Sequence, residues 1–285
     1  MKKSIRLRSR VLVLVPALSV VAAATGVHAQ QLEINPVVVS ASRLAQPLSE
    51  VLPSASVITR QDIDKSQVTS LADLIQREVG VEFGRNGGPG SVTSFFLRGQ
   101  DSTNVVMMVD GVRAQTDGIG SLTLTDFPLA QIERIEILRG NVAALYGEAA
   151  VGGVINIITR QGKGQPSGYG AVSAGSMGTQ SVTAGYGGAQ GDYSYDLNFS
   201  KSRSDGFSSM NPSQSSRVNP DRDGYSVQSV AGKLDKRINS DVTVGLRFSS
   251  TQAENDYDDK ALPTDVHLLK KNNDTVGVTL RQVLN

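Results

Sequence analysis

Leu138–Arg160, LRGNVAALYGEAAVGGVINIITR, is the stretch from which the fold can be read. It opens with Arg139-Gly140, runs through the alanine-rich LYGEAA, turns at Gly152-Gly153 and closes on Val154, Ile155, Ile157, Ile158 and Thr159. β-Branched residues in a short run behind paired glycines predict a buried strand. Two stretches upstream share the construction: Phe96-Leu97-Arg98-Gly99 and Met108-Val109-Asp110-Gly111-Val112-Arg113. In each, an apolar strand end meets an arginine or aspartate set against glycine.

Composition removes several classes of function. The chain has 285 residues, no cysteine and two histidines, His28 and His267. That leaves no thiolate, no Cys/His zinc site and no ordinary Ser-His-Asp triad, so enzyme chemistry is not expected. The formal charge is +1, but Lys2, Lys3, Arg6, Arg8 and Arg10 all precede the first acidic residue; without those five the charge is −4. A mildly acidic chain does not call for nucleic acid as a partner.

Residues 1–29 combine a basic start, an apolar stretch from Val11 to Ala24, and Val27-His28-Ala29 ahead of Gln30. This predicts a secretory signal peptide cleaved before Gln30. A membrane anchor fits less well, because Pro16 and Ser19 interrupt a short run. Residues 30–42 then hold Pro36, Val37, Val38, Val39 and Ser40, a β-prone segment beside a proline. It can serve as a first edge strand, or as an exposed strand that adds to another protein's sheet.

Residues 43–160 read as one α/β domain. Val57-Ile58-Thr59 predicts a strand, Asp62–Ile75 a helix, Pro128–Gln131 a short helix and Ile132–Leu138 a further strand. The stretches 84–90 (GRNGGPG) and 117–121 (DGIGS) are too glycine-rich for regular structure and are the loops expected to touch a ligand.

From Gly168 the period becomes two. Tyr193, Tyr195, Leu197 and Phe199 alternate with Ser194, Asp196, Asn198 and Ser200, and Val242, Val244, Leu246 and Phe248 repeat the pattern. Val276, Val278 and Leu280 follow it, and Val182, Ala184 and Tyr186 do so more weakly. Gly168–Gly175 and Tyr225–Asp235 bring the predicted strands to six. The connections 187–191 and 237–240 are short, whereas 201–223 and 253–271 are long and polar. A soluble β-sandwich also alternates, but an export signal, a preceding domain and short turns opposite long loops together indicate an outer-membrane β-barrel. Six strands cannot close around such a domain, so the chain is expected to be the N-terminal part of a longer protein with an unpaired last strand.

FLRG, VDGVR, IERIEILRG, ALYG and GGVINIITR stand in the order and spacing of the plug of TonB-dependent outer-membrane receptors, which the chain resembles along its length after residue 29. The implied architecture is an α/β plug domain (43–160) followed by the first strands of an antiparallel transmembrane β-barrel (161–285), of which about six are present. Pro36–Ser40 takes the place of the TonB box, making the TonB periplasmic domain and outer-membrane lipid the implied partners. Within the family, residues 41–113 are most similar to the cobalamin (vitamin B12) receptors. By position, Asn86, Ser91, Val92, Thr93, Ser94, Ile119, Gly120, Ser121 and Tyr257 are then the implied substrate contacts. Short polar side chains and glycines on apical loops suit a large neutral ligand. Arg98 and Arg139 are implied to face glutamates of the barrel wall beyond residue 285 and to latch the plug.

Asn219–Gly224, NPDRDG, spaces oxygen donors as the start of an EF-hand does, but Val230 occupies the place of the closing glutamate. Asp205 and Asp258 lie on the other parts of the two long loops. Clustered carboxylates repel unless they bind a cation, and oxygen donors favour calcium. The resemblance implies that Asp205, Asp221, Asp223 and Asp258 hold structural calcium and order the substrate loops. The function expected is TonB-dependent cobalamin transport across the outer membrane. A ferric-siderophore receptor is the alternative within the family. From another class, a passive adhesin or a docking protein for phage or bacteriocin shares the barrel.

Overall fold

In the computed structural model the described residues are 37–38, 46–50, 54–85, 87–88, 90–91, 93–114, 127–211, 213, 219–258, 264 and 266–283. The expected signal peptide lies outside them. The first elements are β1 (Val37–Val38) and β2 (Gln46–Pro47), paired antiparallel. Then come β3 (Ser54–Thr59), α1 (Arg60–Ser66) and α2 (Leu71–Ile75).

The single helix expected over 62–75 is two. Thr59 caps the first by accepting from the Asp62 amide, in a capping box with that aspartate, and Gln67 ends it in the left-handed region at φ 56°. Ser70 opens the second by accepting from the Asp73 amide. Two start signals eleven residues apart, each a hydroxyl followed at three residues by aspartate, leave room for only short helices.

β4 (Val81–Arg85), β5 (Thr93–Leu97) and β6 (Gln100–Asp101) form a small antiparallel sheet. β7 (Val105–Val109), β8 (Val112–Arg113), β9 (Ile132–Arg139) and, after α3 (Ala143–Tyr146), β10 (Gly153–Thr159) complete the domain. The main sheet runs β3-β9-β10-β7-β8, with only the β10–β7 pair parallel. Alternation sends Ile135, Ile137, Ile155, Ile157 and Met107 to one face, where they pack with Ile63, Leu71, Leu74, Ile75, Phe95 and Leu97. Val106, Met108, Leu138 and Val154 go to the other, against Val142 and Ala150. β10 is buried from Gly153 to Ile157, so both faces of the central strand are covered and its sequence is almost continuously apolar.

The remaining strands are β11 (Ser167–Ala174), β12 (Gln180–Gln190), β13 (Tyr193–Phe207), β14 (Asp223–Arg237), β15 (Val242–Tyr257) and β16 (His267–Gln282). They form an open antiparallel meander in sequence order. Burial is inverted relative to a soluble sheet: Leu197 is 53% exposed while the adjacent Asn198 is 5% exposed. Val182, Leu234, Leu246, Val278 and Leu280 share the exposed face; Asp196, Ser200, Ser229, Asp235 and Thr251 share the buried one. An apolar outside and a polar inside define a barrel wall facing lipid. Tyr186 and Tyr195 stack at 6.2 Å, and Lys236 lies over the Tyr193 ring at 5.3 Å, near the short turns. Amphipathic rings there match a membrane–water boundary. Among the described residues no helix is long and apolar enough to cross a membrane.

β13 to β16 have 15 or 16 residues each, about 50 Å at ~3.3 Å per residue and well beyond the ~10 residues a crossing needs. Much of what reads as loop in the sequence is therefore strand projecting past the membrane. With water outside and polar groups inside, these ends carry no apolar alternation to mark them.

Candidate functional site

Val37 pairs with Pro47 and Val38 with Gln46. The segment expected to be the TonB box thus folds back on its own chain in a two-residue ladder, and proline cannot donate to that ladder. Pro36, Val39 and Ser40 lie outside the described residues.

Of the nine expected substrate contacts, Asn86, Val92, Ile119, Gly120 and Ser121 also lie outside them. Ser91 donates to the Gly88 carbonyl at 2.7 Å, and Thr93, 8% exposed, donates to the Ser91 carbonyl at 3.0 Å. Both hydroxyls are spent on their own hairpin, whereas Ser94 is exposed. Tyr257 is exposed, its ring 5.4 Å from that of His267. The hairpin tip rests on the barrel strands: a Cβ at Gly90, whose φ is +92°, would come within 2.6 Å of both Tyr225 Cβ and Asn255 Oδ1.

Three of the four expected metal ligands come together. Carboxylate oxygens of Asp221, Asp223 and Asp258 lie within 4.8 Å of one another. Asp223 accepts from the Ser209 amide at 2.6 Å and from its hydroxyl; Asp258 accepts from the Met210 amide at 3.1 Å and from the Ser208 hydroxyl at 3.3 Å. Burial, and then the charges of Asp223 and Asp221, raise the Asp258 carboxyl above the ordinary aspartate range despite the Met210 amide. Asp205 stands apart on β13 rather than on a loop. A bulge between Ser204 and Phe207, with Gly206 at φ 63°, turns it to the 175–179 turn, where a side chain at Gly178 would strike its carboxylate. Its cation partner is Arg222 at 3.9 Å, an exposed and weak pair.

Arg139 makes its bonds inside the plug. It is 6% exposed and donates to the Val79 carbonyl at 2.8 Å, Ser56 Oγ at 3.0 Å and Glu78 Oε2 at 3.1 Å. Ser56 in turn donates to Glu78 at 2.6 Å, which closes the network. Arg98 is exposed at the end of β5, at φ 53°, its amide on the Gly80 carbonyl at 2.7 Å.

The seam between plug and barrel strands holds residues to which sequence reading assigned no role. Gln131 donates to Ser229 Oγ at 2.6 Å, and Gln161 to Asp235 Oδ2 at 2.9 Å. Asp110, in the VDG stretch, lies 3.4 Å from both Lys233 Nζ and Arg247 Nη1. The signal was present: both bases sit in the inward phase of strands whose outward phase is apolar. A cavity of about 480 Å³ opens here, lined among others by Asp110, Arg113, Phe127, Lys233 and Arg247.

A buried α/β plug resting on barrel strands with an apolar outer face defines a plugged outer-membrane barrel. Residues 47–154 match the family described as TonB-dependent Receptor Plug Domain. The fold is similar to the ferric enterobactin receptor (PfeA) of Pseudomonas aeruginosa. A point mutant of it aligns over 88% of this chain and 40% of its own, at 22% identity and TM-score 0.69. It is similar too to the siderophore receptor PirA of Acinetobacter baumannii, over 70% of this chain and 32% of that one, at 27% identity and TM-score 0.57. FpvA of P. aeruginosa, in complex with a heterologous pyoverdine, aligns over 77% and 28%, at 18% identity and TM-score 0.65. The chain thus spans between about a quarter and two fifths of these receptors. Its place is the outer membrane of a Gram-negative bacterium.

Proposed function

We propose that this chain forms the plug and first barrel strands of a TonB-dependent receptor that imports a ferric siderophore. What carries the reading, beside the plug match, is the 27% identity with a protein named as a siderophore receptor. The more distant neighbours support the fold alone. Residues 37–38 would pair with the TonB periplasmic domain, and the plug would be drawn aside to pass the ligand. TonB-dependent receptors are transporters, and no catalysis is assigned. The test is binding of a ferric siderophore and of cobalamin, separately, to outer membranes containing the complete receptor. Saturable siderophore binding without cobalamin binding supports the proposal; the reverse sinks it.

The aspartate cluster favours cobalamin with calcium as a second reading. Three oxygen-donor side chains fit a calcium ion better than a softer metal. One oxygen each of Asp223 and Asp258 is engaged by the 208–210 turn, so a bound ion would order that turn and, through Gly87 beside Ser209, the hairpin tip. On this reading, Asp223→Asn and Asp258→Asn each weaken calcium binding about tenfold or more in titration calorimetry of the detergent-solubilised receptor. Asp205→Asn changes it little, because Asp205 stands outside the cluster. Equal affinities in all three variants would remove calcium from the proposal.

A further inference from the structure

Asp110 follows β7 with a positive φ of 50°, its side chain 7% exposed. Its Oδ1 accepts from the Thr159 amide at 3.0 Å and its Oδ2 from the Thr159 hydroxyl at 2.6 Å, which ties the turn to the end of β10. The same oxygens meet the barrel. Lys233 Nζ lies 3.4 Å from Oδ1 and Arg247 Nη1 3.4 Å from Oδ2; Arg247 also donates to the Asp110 carbonyl at 3.3 Å.

Lys233 and Arg247 are direct register partners on β14 and β15, so their side chains leave the same inner face. Like charges opposite one another across a strand pair are destabilising, more so when partly desolvated. Their exposures are 17% and 16%. Asp196, the partner of Lys233 on β13, is a second carboxylate on this face and accepts from Tyr169 and Asn198, but among the described residues the carboxylate within 4 Å of both bases is that of Asp110. The plug carboxylate therefore supplies a counter-charge that both barrel bases share.

We propose that Asp110, Lys233 and Arg247 form a latch in which one plug carboxylate, braced by Thr159, holds two mutually repelling barrel cations. Its role in transport rests on the TonB-dependent reading above; its polarity, acid on the plug and bases on the wall, is opposite to that of a latch built from plug arginines. Moving either the β7–β8 turn or the end of β10 breaks the same node. Once the carboxylate leaves, the bases push apart rather than merely losing a partner.

That asymmetry sets the test. Cysteine is absent from the chain, so Ala114→Cys, half-buried just after β8 in the lining of the cavity at the seam, adds a single thiol to it. Labelling of that thiol by a membrane-impermeant maleimide is followed in the complete receptor, in outer membranes from cells lacking TonB and without ligand. Asp110→Asn is expected to raise the labelling rate about tenfold, and Lys233→Gln or Arg247→Gln alone less than about threefold. Adding Lys233→Gln to Asp110→Asn should bring the rate back toward the parent, which a merely missing contact would not do. If Asp110→Asn fails to assemble, Lys233→Gln with Arg247→Gln strands the buried carboxylate and should raise the rate by a similar factor. Parental rates throughout, with TonB-dependent uptake intact, overturn the latch and leave the transport reading standing. Raised rates in a receptor that shows no TonB-dependent uptake overturn its role in transport.

Discussion

Gly153→Ala is expected to unfold the plug at denaturant concentrations that leave the parent intact. Gly153 begins β10 at φ +145°, a conformation that L side chains rarely adopt. A Cβ there would overlap the Leu138 carbonyl oxygen and approach Leu97 Cδ2 to 2.8 Å. Neither neighbour can yield: Leu138 is backbone in the paired strand, and Leu97 is fully buried. Backbone strain and overpacking together cost roughly 3 kcal/mol or more, a large share of a domain's ~5–15 kcal/mol. Gly84→Ala is the control, because no heavy atom lies within 4 Å of its Cβ position and its φ is ordinary. The midpoint of plug unfolding in urea, followed by protease sensitivity, separates the two. Equal midpoints would mean that the close approach at Gly153 is absent.

Val38→Pro is expected to abolish uptake while leaving ligand binding at the parental level. The β1–β2 ladder has two residue pairs, one of them with Pro47, so it is held weakly and a longer strand from a partner can displace it. A proline at 38 removes a donor from whichever pairing forms. Uptake of radiolabelled ferric siderophore should fall about tenfold or more, to the level of cells lacking TonB. The substitution alters no site on the ligand side, so binding to isolated membranes is the internal reference. Undiminished uptake would mean that this strand does not couple the receptor to TonB, whereas binding without TonB-dependent uptake already in the parent would favour a passive adhesin or docking protein.

Where side chains alternate against a boundary, the sequence was easy to read. β10 was legible because it is buried on both faces, and β13 to β16 because lipid and plug select opposite chemistry on alternate residues. The same rule explains the strands that read as loops: the distal ends of β13 and β15 meet water outside and the hairpin tip and polar turns inside, so neither face selects apolar side chains. Asp205 therefore looked like a loop ligand, and its bulge separates it from Asp221, Asp223 and Asp258. The two helices after Thr59 could have been separated by the second cap at Ser70. Arg139 is held within the plug by Glu78 and Ser56, from segments 61 and 83 residues upstream, a distance at which no local pattern gives a signal. Asp110 stands in the VDGVR motif. Its partners could have been found by counting outward from the 238–241 turn, which sets Lys233 opposite Arg247.

The wall on which the plug rests is made largely of serine, threonine, asparagine and charged side chains. An oily wall would hold the plug by surface tension, and drawing the plug away would mean exposing hydrocarbon to water all at once. Along a hydrophilic track, water can take over each hydrogen bond as it is given up, so displacement proceeds in small steps against a nearly level landscape. The plug's aliphatic interior is enclosed between its own layers and need not open for this to happen. It can travel as a sliding bolt, wetted on its outside and dry within, with the resistance gathered at a few charged catches.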